Sequence, residues 1–131
     1  MTQEEKQLLL TDLSARLPYG VKVLIPECRK DIATLIGIDD ICFAVKYGES
    51  NFYCPFHISI KPYLRQMSSM TEEEKEEYCN LQDKFLCSSQ YPVTDAYELF
   101  DWLNKNHFDY RGLIQKGLAI EVTEENNPYK E

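Results

Sequence analysis

The chain has 131 residues, 44% of them hydrophobic and 12% aromatic, which suffices for one core of ordinary domain size. Its net charge of −8 gives an acidic surface that repels phosphate backbones and argues against direct nucleic-acid binding. No apolar stretch approaches the length of a membrane-spanning helix, and the acidic opening MTQEEKQLLL has an apolar run too short for a secretory signal.

Residues 2–17 read as a helix. Thr2 and Glu5 form a capping box, and Leu9, Leu10, Leu13 and Leu17 share one face. Pro18-Tyr19-Gly20 stops it. The period then changes. Residues 21–25, 31–38, 41–47 and 52–60 are β-rich runs separated by short turns, which favours an antiparallel meander. Pro55 inside the fourth run predicts a bulge or an edge position. Residues 61–70 mix proline, an aromatic, basic residues and methionines without a period, and read as a structured loop outside the sheet.

Thr71 and Glu74 open a second capped helix, with Tyr78, Leu81 and Phe85 as its buried stripe. Residues 87–92 link it to a third helix starting at Thr94. There Ala96, Leu99, Phe100 and Leu103 recur at the spacing of one buried face, flanked by Tyr97 and Trp102. Residues 109–116 read as a short helix capped by Asp109 and closed by Gly117. Residues 118–122 alternate as a short strand, and 123–131 form a polar, frayed tail. The expected fold is α+β in a single domain over residues 1–122. An N-terminal helix precedes a small antiparallel sheet of three or four strands, then two or three helices and a short strand.

Two stretches, KPYLRQMSSMTEEEKEEY (61–78) and DWLNKNHFDYRGLIQKGLAIE (101–121), together resemble a group of small uncharacterised proteins of gut Bacteroidales bacteria and of their phages or mobile elements. The opening MTQEEKQLLLTDLSARLPYGVKV is similar too, so the likeness spans most of the chain. Where the group carries proline after KPYLR, this chain has Gln66. The resemblance implies no activity. It implies a cytoplasmic accessory protein of phage or mobile-element origin.

His107, Asp109 and Arg111 alternate, so in an extended segment they would share a face and could form an acid/base site. The competing reading gives them cap and surface ion-pair roles. Cys54 and His57 are three residues apart, which on a strand puts them on opposite faces. The five cysteines, Cys28, Cys42, Cys54, Cys79 and Cys87, are odd in number and lack Cys-x-x-Cys spacing, which fits reduced thiols in the cytoplasm. Neither a metal nor a cofactor is expected: ligand spacings are absent, and the five glycines are singletons.

Within 61–70, Lys61, Tyr63, Leu64, Arg65, Met67 and Met70 are the residue types that fill contact patches, unless the apolar ones fold back over the core. The leading expectation is a non-enzymatic interaction protein with a protein partner and no nucleic-acid or membrane partner. The alternative is a small enzyme using His107, Asp109 and Arg111. The first leads because nothing assembles a nucleophile, a base and an oxyanion donor. The charge is also uneven: residues 1–70 hold eight acidic and eight basic residues, and residues 71–131 hold fourteen and six.

Overall fold

The computed structural model describes residues 2–27, 29–87 and 92–129. Helix α1 spans Gln3–Arg16, and the Thr2–Glu5 capping box is formed in both directions. Leu9 and Leu13, four apart, are buried against the sheet. Asp12 and Arg16 form a second buried line on the same helix. Gly20, at φ 67, ends the 3-10 turn that follows, a conformation glycine adopts without steric cost.

Strands β1 (Lys22–Ile25), β2 (Arg29–Ile38), β3 (Cys42–Tyr47) and β4 (Ser50–Pro55) form the expected antiparallel meander. The two-residue turn between Tyr47 and Ser50 places Gly48 at φ 60, which the first position of such a hairpin turn requires. Pro55 ends β4, and β4 is an edge strand.

The sheet is larger than the sequence suggested. It has six strands in the order β4-β3-β2-β1-β5-β6. Strand β5 (Lys61–Leu64) comes from the stretch read as a loop. It pairs antiparallel with β1 and parallel with the short β6 (Ile120–Glu121). Pro62 misled the sequence reading, because a proline in a central strand lacks a ladder donor. Here Pro62 lies opposite Val23, and β6 begins only opposite Tyr63. The missing N–H therefore costs no bond if the nitrogen faces the β6 side, beyond that strand's end.

Inward positions Val23, Ile25, Ala33, Leu35, Phe43, Val45 and Cys54 alternate along the strands and form the main core with α1. Residues 56–60 carry the chain from β4 to β5, and Phe56, Ile58 and Ile60 join that core.

Helices α2 (Glu72–Cys87) and α3 (Pro92–Lys105) make a second cluster around Leu99, Leu103 and Phe108, with Met67, Met70, Leu81, Phe85 and Trp102 packed against it. The capping box of α2, Thr71 with Glu74, is present. Helix α3 opens at Pro92, two residues before Thr94, because proline suits the first helical turn. Its buried face is rotated from the expected one: Asp95, Leu99 and Leu103 are buried, while Phe100 is 43% exposed. The expected link at 88–91 lies outside the described residues, as do the side chains of Cys28 and Cys87. Cys42 and Cys79 are free thiols, and Cys54 is buried.

Two expectations for the C-terminal segment are corrected. Residues 113–117 form one hydrogen-bonded turn and not a helix. The stretch from 123 to 129 is docked and not frayed. Tyr129 donates its hydroxyl proton to the Tyr63 carbonyl at 2.7 Å and accepts from the Lys22 amide at 2.9 Å. A tail composed mostly of polar residues hid one aromatic anchor with two backbone partners.

Candidate functional site

The His107–Arg111 segment follows α3 directly. Phe108 N donates to Leu103 O at 3.0 Å and His107 N to Asn104 O at 3.1 Å, the two bonds of a Schellman cap. His107 takes the left-handed position of that cap, at φ 63, where glycine is usual. A left-handed residue with a Cβ costs roughly 1–2 kcal/mol, so the surroundings must hold it there. Its ring stacks on Tyr129, with centroids 3.7 Å apart and planes at 10°. Burial, together with the positive charges of Arg16, Arg65 and Lys22, lowers its pKa to about 4. The imidazole is therefore neutral at pH 7. Its Nδ1 is buried without a hydrogen-bond partner among the described residues.

Asp109 uses both carboxylate oxygens on backbone, accepting from Leu113 N at 3.0 Å and Ile114 N at 2.9 Å. Arg111 donates to Asp12 Oδ1 at 2.9 Å and to the Tyr110 hydroxyl oxygen at 3.0 Å. The three side chains that alternate in sequence thus go three ways: one stacks on the tail, one caps a turn, one reaches α1. Alternation aligns side chains only in a regular strand, and this segment begins with a left-handed residue.

Asp12 and Arg16 are what the sequence reading missed. Arg16, a basic residue of the first helix with no role in the sequence reading, is 0% exposed. Its Nε donates to Asp12 Oδ2 at 2.8 Å and its Nη2 to the Phe108 carbonyl at 2.6 Å. Tyr110 lies under its guanidinium and donates its own hydroxyl proton to Asn104 at 2.8 Å. This polar hub ties α1 to the end of α3. The signal available in the sequence was the i,i+4 spacing of an acid and an arginine.

The stretch from 61 to 70 does not form the exposed contact patch its composition suggested. Tyr63 and Leu64 are buried in β5. Arg65 grips both oxygens of Glu74, at 2.9 and 2.7 Å, and lies over the Phe108 ring at 4.2 Å. That grip is the largest influence holding the Glu74 carboxyl below its usual pKa. The Arg65 amide donates to His107 O at 2.7 Å, so its backbone is engaged too. Met67 and Met70 pack on the second cluster and line a shallow depression with Tyr78 and Cys79. Lys61 sits at an outward sheet position, opposite Leu24; Tyr63, two residues on, shares that face and is buried, with Tyr129 bonded to its carbonyl. Strand pairing captured the apolar residues and a carboxylate captured the arginine. Cys54 is buried and His57 exposed, so they make no nucleophile–base pair.

The surface left open is the outer face of the sheet. The register sets a polar row of Lys22, Thr34, Lys46 and Asn51 across β1 to β4, with Lys22 Nζ donating to Thr34 Oγ1 at 2.6 Å. On one side of this row Tyr53 lies opposite Ala44, and Ala44 opposite Gly37, with Ile36 at the bulge just before it; on the other lie Leu24 and Ile32. Tyr53 is 72% exposed, and Ile32 and Ile36 are exposed as well. The row from Lys22 to Asn51 holds no carboxylate; Asp31, the acidic residue within these strands, is exposed in the stretch of β2 between Arg29 and Ala33 where the register with β1 shifts.

Among the described residues, no His, Cys, Asp and Glu side chains gather as a metal site, and no helix is long and apolar enough to cross a membrane. No protein-family model, no curated protein and no solved structure matches the chain.

Proposed function

We propose that this chain is a non-enzymatic interaction protein that docks an acidic protein partner on the outer face of its sheet. One observation carries the reading. In a chain of net charge −8, the row Lys22, Thr34, Lys46 and Asn51 across this face holds two lysines and no carboxylate, with exposed isoleucines and a tyrosine beside it. Apolar side chains supply contact area, and the lysines select a partner that brings negative charge. Support for the non-enzymatic part comes from the separate engagements of His107, Asp109 and Arg111. The accessory role and cytoplasmic location implied by the resemblance belong to the same proposal.

Other occupants fit less well. Single-stranded nucleic acid needs a stacking platform and many cations, and the face offers one well-exposed aromatic, Tyr53. A second copy in a two-fold arrangement would bring lysine rows against each other. The test compares affinity capture by wild type, by the face variant Lys46→Glu/Tyr53→Ala and by the control Glu76→Lys on α2, all with matching circular dichroism. A protein retained by wild type and the control, lost from the face variant and carrying an acidic patch at its contact surface supports the proposal. An unchanged retained set overturns it. So does a dimer split by the face variant in sedimentation, or saturable oligonucleotide binding at about 150 mM salt.

A further inference from the structure

A cleft of about 520 Å³ opens between α1 and residues 56–60, away from the outer sheet face. That volume lies in the range of sites for small molecules. Phe43, Ile60 and Leu9 are buried at its floor, and the Phe43 and Phe56 rings meet at 4.8 Å between centroids, tilted by 54°. The α1 wall shows Gln3, Lys6, Gln7 and Leu10, which share one helix face at spacings of three and four. Along that face the wall passes from exposed polar groups at the helix start to a half-buried leucine. His57 and Ser59 form the opposite lip.

The charge of this lining departs from that of the chain. Lys6 is the formally charged residue in it, and no carboxylate contributes. Glu5, next in sequence, is turned away to accept from the Thr2 amide at 3.1 Å in the capping box. The site therefore pairs an apolar floor with one cation and several neutral donors at one rim. A neutral hydrocarbon would leave the rim unused, and a cation would meet Lys6. A molecule with an apolar body and a single anionic end satisfies both parts.

We propose that this cleft binds a small amphipathic carboxylic acid. Its apolar part lies over Phe43, Phe56 and Leu10, and its carboxylate accepts from Lys6 Nζ with Gln7 and His57 beside it. This site is separate from the outer sheet face, and the two stand or fall independently.

Decanoate, below its micelle concentration, is the probe, followed in amide NMR spectra of the full chain. Saturable shifts centred on residues 3–10 and 56–60 are expected. Lys6→Glu should weaken binding at least roughly tenfold, the loss that follows when a charged hydrogen-bond partner is removed. Leu10→Trp should fill the cleft and abolish binding, and its own spectrum shows whether it folds. Lys6→Glu, at an exposed position, keeps the test valid if it does not. The proposal is overturned by shifts elsewhere or none, by decylammonium binding as tightly as decanoate, or by an unaffected Lys6→Glu. A short peptide with a C-terminal leucine outcompeting decanoate would overturn the small-molecule assignment.

Discussion

Removing Asp12 is expected to be the most damaging single change in the polar hub. Both partners of its ion pair with Arg16 have 0% side-chain exposure. Asp12→Ala removes the 2.8 Å bond to Arg16 and the 2.9 Å bond to Arg111 together. Arg16 then stays enclosed with one strong acceptor, the Phe108 carbonyl. Leaving one member of a buried pair without its partner costs about 3–5 kcal/mol. Against a usual total of about 5–15 kcal/mol, that brings the fold close to its limit. With an m-value of about 2 kcal/mol/M in urea, the midpoint should fall by roughly 2 M. Arg16→Met should cost less, since Asp12 keeps the partly exposed Arg111. The double variant Asp12→Leu/Arg16→Met should recover most of the loss, because apolar residues of similar volume replace a buried pair without an orphaned charge. Trp102, the chain's single tryptophan, stacks on Phe108 at 5.6 Å and reports the transition by fluorescence. A midpoint for Asp12→Ala no lower than for an exposed substitution would refute the reasoning. A double variant worse than the sum of the singles would refute it equally.

His107 should make stability depend on pH. Its folded pKa of about 4 lies below the ordinary value of 6.5, so between these values the unfolded chain holds more protons. The contribution is complete above the unfolded value and is lost as pH falls toward the folded one. Between pH 7 and 5 wild type should lose about 1–2 kcal/mol more than His107→Asn, after discounting for partial exposure; equal losses would contradict this. Leu103→Ala, at 2% exposure, should cost about 2–5 kcal/mol, while Phe100→Ala at 43% should cost far less, and equal midpoints would show that the face of α3 is misplaced. Tyr129→Phe should cost about 1–3 kcal/mol by leaving the Lys22 amide and the Tyr63 carbonyl without their partner, and an unchanged urea midpoint would count against the docked tail. Exposed Cys79 should react with a maleimide in the native state and buried Cys54 only on unfolding; native labelling at Cys54 would contradict its burial.

What the sequence discloses here is what local chemistry decides. The capping boxes at Thr2 and Thr71 need only neighbours three residues away, and both form as read. The meander from β1 to β4 follows from short turns between β-rich runs, and Pro55 at an edge follows from its missing donor. What depends on distant partners stayed hidden. Nothing within a few residues of Lys61–Leu64 shows that β1 and β6 will flank it. Arg16 looks like any helix-surface arginine until the Phe108 carbonyl, 92 residues later, arrives beside it. Tyr129 likewise gains its meaning from Lys22 and Tyr63. The residues expected to form a contact patch at 61–70 were obscured for the same reason: the arginine and the tyrosine have partners within the fold.

The placement of the hub bears on how the outer sheet face would bind. The buried ions, the left-handed histidine and the docked tail all lie around the end of α3 and the β1–β5 side. The row Lys22, Thr34, Lys46 and Asn51 runs away from them across β2 and β3 to the free edge at β4. Beneath it, Ala33, Leu35, Phe43 and Val45 are fixed in the core, and alternation makes each of them a direct chain neighbour of an outward side chain. Tyr53 therefore projects from backbone held by the β3–β4 ladder, while Ile32 and Ile36 sit at the two register shifts of β2, each beside a residue fixed in the core, Ala33 and Leu35. β-branched isoleucine adds few rotamers of its own, and tyrosine few. Association on this face would order little that is not ordered already, which removes one of the main costs of binding. Lys46, exposed on a long flexible stem, is the exception, so its part lies in choosing and attracting a negatively charged partner more than in holding it. Salt should accordingly slow association through this face far more than it speeds dissociation.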